Sequence, residues 1–101
     1  MAKRKIIWTK SAKSERRDIL DYWIKRTKSK TYSYKLNKLF SEAVNLIAEY
    51  PQIGRTTNDG KTRISIVRDY LIFYEFSKNE LIIQSVWDAR QDENESEFDY
   101  T

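Results

Sequence analysis

The sequence predicts an α+β domain of order β-α-α-β-β-β, with an N-terminal helical hairpin packed on one face of a small, mainly antiparallel sheet. Three observations carry that expectation. Arg63 to Gln91 reads as three short strands, RISIV, YLIFYEF and LIIQSVW, broken by Arg68-Asp69 and by Ser77-Lys78-Asn79-Glu80. Runs of β-branched and aromatic residues bounded by turn residues are the usual strand signal. Two stretches before residue 51 carry apolar residues at helical spacing. The connections between the strands are too short for a crossover helix, so neighbours should run antiparallel.

Lys5-Ile6-Ile7-Trp8 follows a basic leader and reads as a strand that pairs at an edge of the later sheet. Thr9 or Ser11 offers a helix cap, and the segment to about Lys28 has helical spacing. Ala12, Ile19 and Trp23, flanked by Leu20 and Ile24, form its apolar stripe, while Arg16, Arg17, Lys25 and Lys28 read as a solvated face. A second helix is expected from about Tyr32 to Tyr50, with Leu36, Leu39, Phe40, Ala43, Val44 and Ile47 on one side. Pro51 ends it, because the residue before a proline disfavours helical geometry. Gln52 to Lys61 holds both glycines and reads as a surface loop, with Gly54-Arg55 and Asn58-Asp59-Gly60 as turn signals. In the last hairpin, Asn79 is the residue best suited to a left-handed turn.

One domain is expected over residues 1–91, with an acidic, flexible tail over 92–101. All 19 lysines and arginines precede Gln91, and the ten acids that share residues 1–91 leave that body at +9. The five acids of the tail make it −5. A body so basic suits an acidic or polyanionic partner, and equally suits a lysine-rich soluble surface.

Chemistry is bounded by what the chain lacks. With no cysteine and no histidine, thiol catalysis, serine–histidine arrangements and the commonest metal ligand are gone. The acids of the body are too scattered for a carboxylate metal site, and no cofactor is expected. No apolar run is long enough to span a membrane, so a cytoplasmic protein is the default. Arginine, lysine and tyrosine near the sheet remain. Arg55, Arg63, Arg68 and Arg90 could grip phosphates, with Tyr70, Tyr74 or Trp87 for stacking. They could equally pair with Asp69, Glu75 or Asp88 while the rings fill the core.

The order of segments resembles the RelE/ParE family of type II toxin–antitoxin toxins over nearly all of residues 1–91. The residues that carry it are Ile7-Trp8-Thr9 with Ala12, then Ile19 to Trp23, Pro51-Gln52-Ile53-Gly54-Arg55, Arg63 to Tyr74, and Val86 to Asp92. The resemblance implies a bacterial growth inhibitor made with an antitoxin, whose flexible segment wraps and blocks it. Its target would be DNA gyrase in the ParE-like branch, or ribosome-bound mRNA in the endonuclease branch. Arg63 and Arg90 match positions that are often basic in the endonucleases and would be the catalytic pair there. Leu71-Ile72-Phe73 and Ser65 stand where those enzymes often have further basic residues, and Tyr100 is too distant to match their C-terminal tyrosine. The Pro51 to Arg55 loop and Val67 to Tyr74 look more ParE-like, so the gyrase-directed branch is favoured. On that branch Arg55, Arg68, Tyr74 and Trp87 are expected to meet the target, and Leu20, Tyr22 and Trp23 the antitoxin.

Overall fold

The computed structural model describes residues 3–92, without the side chains of residues 91 and 92. The acidic tail expected from residue 92 thus lies, from residue 93 onward, outside the described residues. Strand β1 (Lys5–Trp8) leads into helices α1 (Lys10–Thr27) and α2 (Thr31–Glu49). After a 3-10 turn at Pro51–Ile53 come β2 (Arg55–Thr56), β3 (Arg63–Val67), β4 (Tyr70–Phe76) and β5 (Glu80–Asp88). The sheet runs in the order β1-β5-β4-β3-β2. The β1–β5 pair is parallel and the other three are antiparallel. The α+β expectation therefore holds, with β1 at an edge as expected. The loop after Pro51 differs, since Arg55-Thr56 pairs with Arg63-Ile64 as a fifth, two-residue strand.

Alternation along β4 explains why both helices lie on one face. Tyr70, Ile72 and Tyr74 point the same way and are buried, with Phe76 packed beside them. Against them lie Val67, Leu81, Ile83 and Val86 from the sheet, and Ala12, Leu36, Phe40, Val44, Ile47 and Ala48 from the helices. Phe40 meets the Tyr70 ring edge-on at 5.7 Å. The stripe of α2 is buried at three-four spacing. In α1, Ala12 is fully buried while Ile19, Leu20 and Trp23 pack at the margin.

Thr9 caps α1, its hydroxyl accepting from the Ala12 N–H at 3.1 Å. That hydroxyl also donates to the Gln84 carbonyl at 3.1 Å. Gln84 is skipped by the β4 register, where Phe73 faces Ser85 but Tyr74 faces Ile83. A bulge leaves backbone groups without a ladder partner. Glu15 of α1 takes the neighbouring ones, its Oε1 accepting from the Val86 N–H and the Ser85 hydroxyl, both at 2.9 Å.

Two expectations are corrected by the backbone and by burial. Left-handed geometry falls on Arg68 in the β3–β4 hairpin and on Lys28 after α1, each with φ of 58°, and not on Asn79. A two-residue hairpin needs positive φ at its first central residue to match strand twist, and Arg68 holds that position between the paired Val67 and Tyr70. Arg16 is not on a solvated face. Half-buried, it lies 4.6 Å over the Trp8 ring and donates from Nε to Asn37 of α2 at 3.0 Å. Burial lowers its guanidinium pKa.

The 57–62 turn follows its sequence signals. Gly60 takes φ of 76°, and Asp59 accepts from the Lys61 and Thr62 N–H groups and from both threonine hydroxyls. These bonds, the Thr62 N–H foremost, hold the Asp59 carboxyl well below the usual carboxylate range. A depressed folded-state pKa gives stability that is complete above the unfolded value of about 4 and declines below it. Unfolding at a series of acid pH values should therefore show the native protein losing its advantage over Asp59→Asn from about pH 4 downward. A pH-independent difference would show that the charge contributes nothing to the turn.

Candidate functional site

The sequence-predicted residues separate into three places. The first is the turn at Pro51 to Gly54. The Tyr74 hydroxyl donates to the Pro51 carbonyl at 2.6 Å and accepts from the Gly54 N–H at 3.0 Å. Burial raises its pKa, against the smaller opposing pull of the Gly54 bond and of Arg63. Arg63, opposite Tyr74 in the sheet, donates through Nη1 to the carbonyls of Gln52 and Gly54 at 3.1 and 2.8 Å. A side chain on Gly54 would put its Cβ 2.2 Å from the Tyr74 oxygen, so only glycine allows this approach. Tyr74 is fully buried, which corrects the expectation that it meets a target. Its phenol fastens the loop from within.

The second place is the end of β5. Arg90 lies 3.3 Å from Asp88 and 3.6 Å from Asp69 across the β3–β4 turn. The same guanidinium sits 5.6 Å over the Trp23 ring and 6.0 Å over the Tyr70 ring. The bond to Asp88 raises the Arg90 pKa. Trp23 donates from Nε1 to the Tyr70 hydroxyl at 2.6 Å, fixing α1 to the middle of the sheet. Burial raises the Tyr70 pKa, which keeps the phenol protonated. Trp23 also packs edge-on against Tyr22 and Tyr32 at 5.1 and 4.9 Å. Of the three residues expected to meet an antitoxin, Tyr22 is 48% exposed, while Leu20 and Trp23 lie half-buried against the core.

The third place is the sheet face turned away from the helices. Register puts Ile66, Leu71 and Trp87 in one row and Ile64 beside Phe73 in the next. Trp87 contacts Phe73 at 5.2 Å, and Ile66 and Trp87 remain 65% and 40% exposed. Arg55 pairs with Ile64 on this same face, and the exposed Arg68 stands at the hairpin tip above it. An apolar sheet face rimmed by arginines is a docking surface in form.

Arg63 and Arg90 are not brought together. Arg63 stacks 5.8 Å from Phe76 and Arg90 lies over Tyr70, at opposite ends of β4. Six residues of strand separate those rings, roughly 20 Å. The sequence reading missed Glu15, whose carboxylate holds the bulge; its place near the start of α1, six residues after Thr9, was the only signal. It also missed Ser33, buried and donating to the Leu20 carbonyl at 3.0 Å.

A helical hairpin on one face of this five-stranded sheet is the fold of the RelE/ParE superfamily of toxins. The family model for the ParE toxin of type II toxin–antitoxin systems, parDE, matches residues 6–93, and the chain belongs to that family. Among solved structures, the chromosomal ParDE toxin–antitoxin system from P. aeruginosa superposes with a TM-score of 0.71. It covers 82% of this chain and 92% of its own at 15% identity, which shows a shared fold. No curated protein matches the sequence.

The geometry of the first place yields a stability test. Tyr74→Phe leaves a buried carbonyl and N–H without their partner and should cost about 1–3 kcal/mol in denaturant unfolding. Gly54→Ala should be at least as damaging, because the new methyl meets the phenol in the core. Loss of under about 0.5 kcal/mol for Tyr74→Phe would mean that water replaces the phenol without penalty.

Proposed function

We propose that this chain arrests bacterial growth by binding DNA gyrase in the cytoplasm, and that a cognate antitoxin protein neutralises it. Membership of the ParE toxin family supports the toxin role. The observation that carries the non-nuclease reading is the separation of Arg63 from Arg90 along β4. RNA cleavage without metal or histidine needs several cations around one phosphorane. Here one arginine holds a turn and the other sits between two carboxylates. Binding to a protein needs no such convergence. The open sheet face supplies what that task requires, with Ile66 and Trp87 as apolar anchors and Arg55 and Arg68 at the rim.

Antitoxin contact falls along α1, where the exposed Tyr22 lines, together with Trp87, the groove against β5. Leu20 and Trp23 support that contact from below. The +9 body favours an acidic wrapping segment.

Expression without antitoxin, with DNA and RNA synthesis followed separately, tests the target. The expected result is early DNA-damage signalling with messages intact. Rapid arrest of translation with cut mRNA would overturn the gyrase assignment. Ile66→Lys tests the surface, since the side chain is exposed and its loss should move stability by no more than about 1 kcal/mol. Growth arrest should be abolished while the folded protein persists. Full toxicity of that variant would remove the open face from the mechanism.

A further inference from the structure

A groove of about 500 Å³ runs between α1 and β5. Ile19, Tyr22, Tyr70, Val86 and Trp87 give it apolar and aromatic walls, and Glu15, Asp18 and Asp88 place three carboxylates along it. Its sign is opposite to that of the surrounding body, which is strongly basic. Asp18 is exposed and makes no hydrogen bond or ion pair among the described residues. The chain itself shows what such walls accept. Arg90, just beyond the groove, already packs its guanidinium over the Tyr70 ring while bonding Asp88. A flat, weakly hydrated cation suits aromatic rings beside carboxylates better than an ammonium does.

We propose that this groove receives an arginine side chain from a partner protein, flanked by apolar residues that lie along Ile19, Tyr22 and Trp87. The partner is taken to be the neutralising protein, and only that identification rests on the reading above; the cation chemistry stands on the groove. An acidic segment drawn to the basic body would be fixed in register by one residue of the opposite sign. Slipping the segment along the surface would then set an arginine against lysines and carboxylates against Asp18. Residues 91–101 contain no lysine or arginine and do not supply the cation.

Acetyl-arginine amide, with acetyl-citrulline amide as its neutral near-isostere, tests the groove by NMR titration of the full chain. Shifts should concentrate on Ile19, Tyr22, Val86 and the Trp87 indole and saturate with the arginine probe. Citrulline should bind about tenfold more weakly, as loss of a charge-assisted hydrogen bond requires. Asp18→Asn, an exposed change that leaves the core untouched, should weaken the arginine probe several-fold and citrulline hardly at all. Equal binding of the two probes, shifts elsewhere on the surface, or no shifts would each overturn the proposal. A concentration-dependent dimer abolished by Tyr22→Ala would give the groove to a second copy and overturn it as well. None of these readouts uses growth arrest, so failure here and failure of the toxin assignment are distinguishable.

Discussion

The structure depends on two phenols buried in its central strand. Tyr70 and Tyr74 stand on the helix face of β4, and an apolar core would not tolerate their hydroxyls without partners. Each hydroxyl is met by a different part of the chain. Tyr70 receives the indole N–H of Trp23 from α1, while Tyr74 holds the carbonyl and N–H of the turn that ends α2. Hydrophobic burial brings the helices to the sheet, but it is non-directional. The phenols supply direction. They set where α1 crosses β4 and where the chain leaves α2 for the sheet, and the groove and the loop inherit those positions.

A second constraint acts at the bulge. Omitting Gln84 from the ladder re-aims the end of β5. Thr9 and Glu15, six residues apart, both bond to the irregular stretch and hold the first turns of α1 over it. The same carboxylate that satisfies the bulge also lines the groove. Helix α1 therefore stands against β5 at a fixed height, with Tyr22 clear of the sheet and Trp23 turned into it. Residues adjacent in sequence take opposite parts because helical rotation carries them roughly 100° apart.

The fold was legible because its periodicities are clean. The α2 stripe repeats at three-four spacing, β4 is a dense run of β-branched and aromatic residues, and Pro51 marks the end of the helix unambiguously. What was not legible depends on contacts distant in sequence. That β1 pairs in parallel with β5 is a fact about chain path and leaves no local trace. The pairing of Arg55-Thr56 is too short to register as a strand pattern. Arg68, an unremarkable arginine, takes the left-handed position because strand twist imposes it, and no propensity announces that. The site was read less well for a related reason. Tyrosine and arginine look alike in sequence whether they face a partner or hold a carbonyl. Tyr74 and Arg63 were both candidates for contact, and both are bonded to the 51–54 turn. Tyr22 and Trp87 were candidates too, and exposure keeps them so.

Fixing the arginines in structural work has a consequence for chemistry. A guanidinium that bonds two backbone carbonyls is oriented by the fold, and redirecting it to a phosphate would cost the part-buried Gly54 carbonyl its partner. Arg90 is also engaged, bridging the carboxylates of Asp69 in the β3–β4 hairpin and Asp88 at the end of β5. Positive charge is therefore abundant on this protein, while Arg63 and Arg90 are held in structural contacts. What stays exposed is apolar and aromatic: Ile66 and Trp87 on the open face, and Tyr22 over the groove. Such a surface gains from excluding water against another protein and gains little from a solvated polyanion. The held guanidinium groups and the exposed apolar face thus support the proposed recognition of protein over cleavage of RNA, on physical grounds that do not depend on kinship.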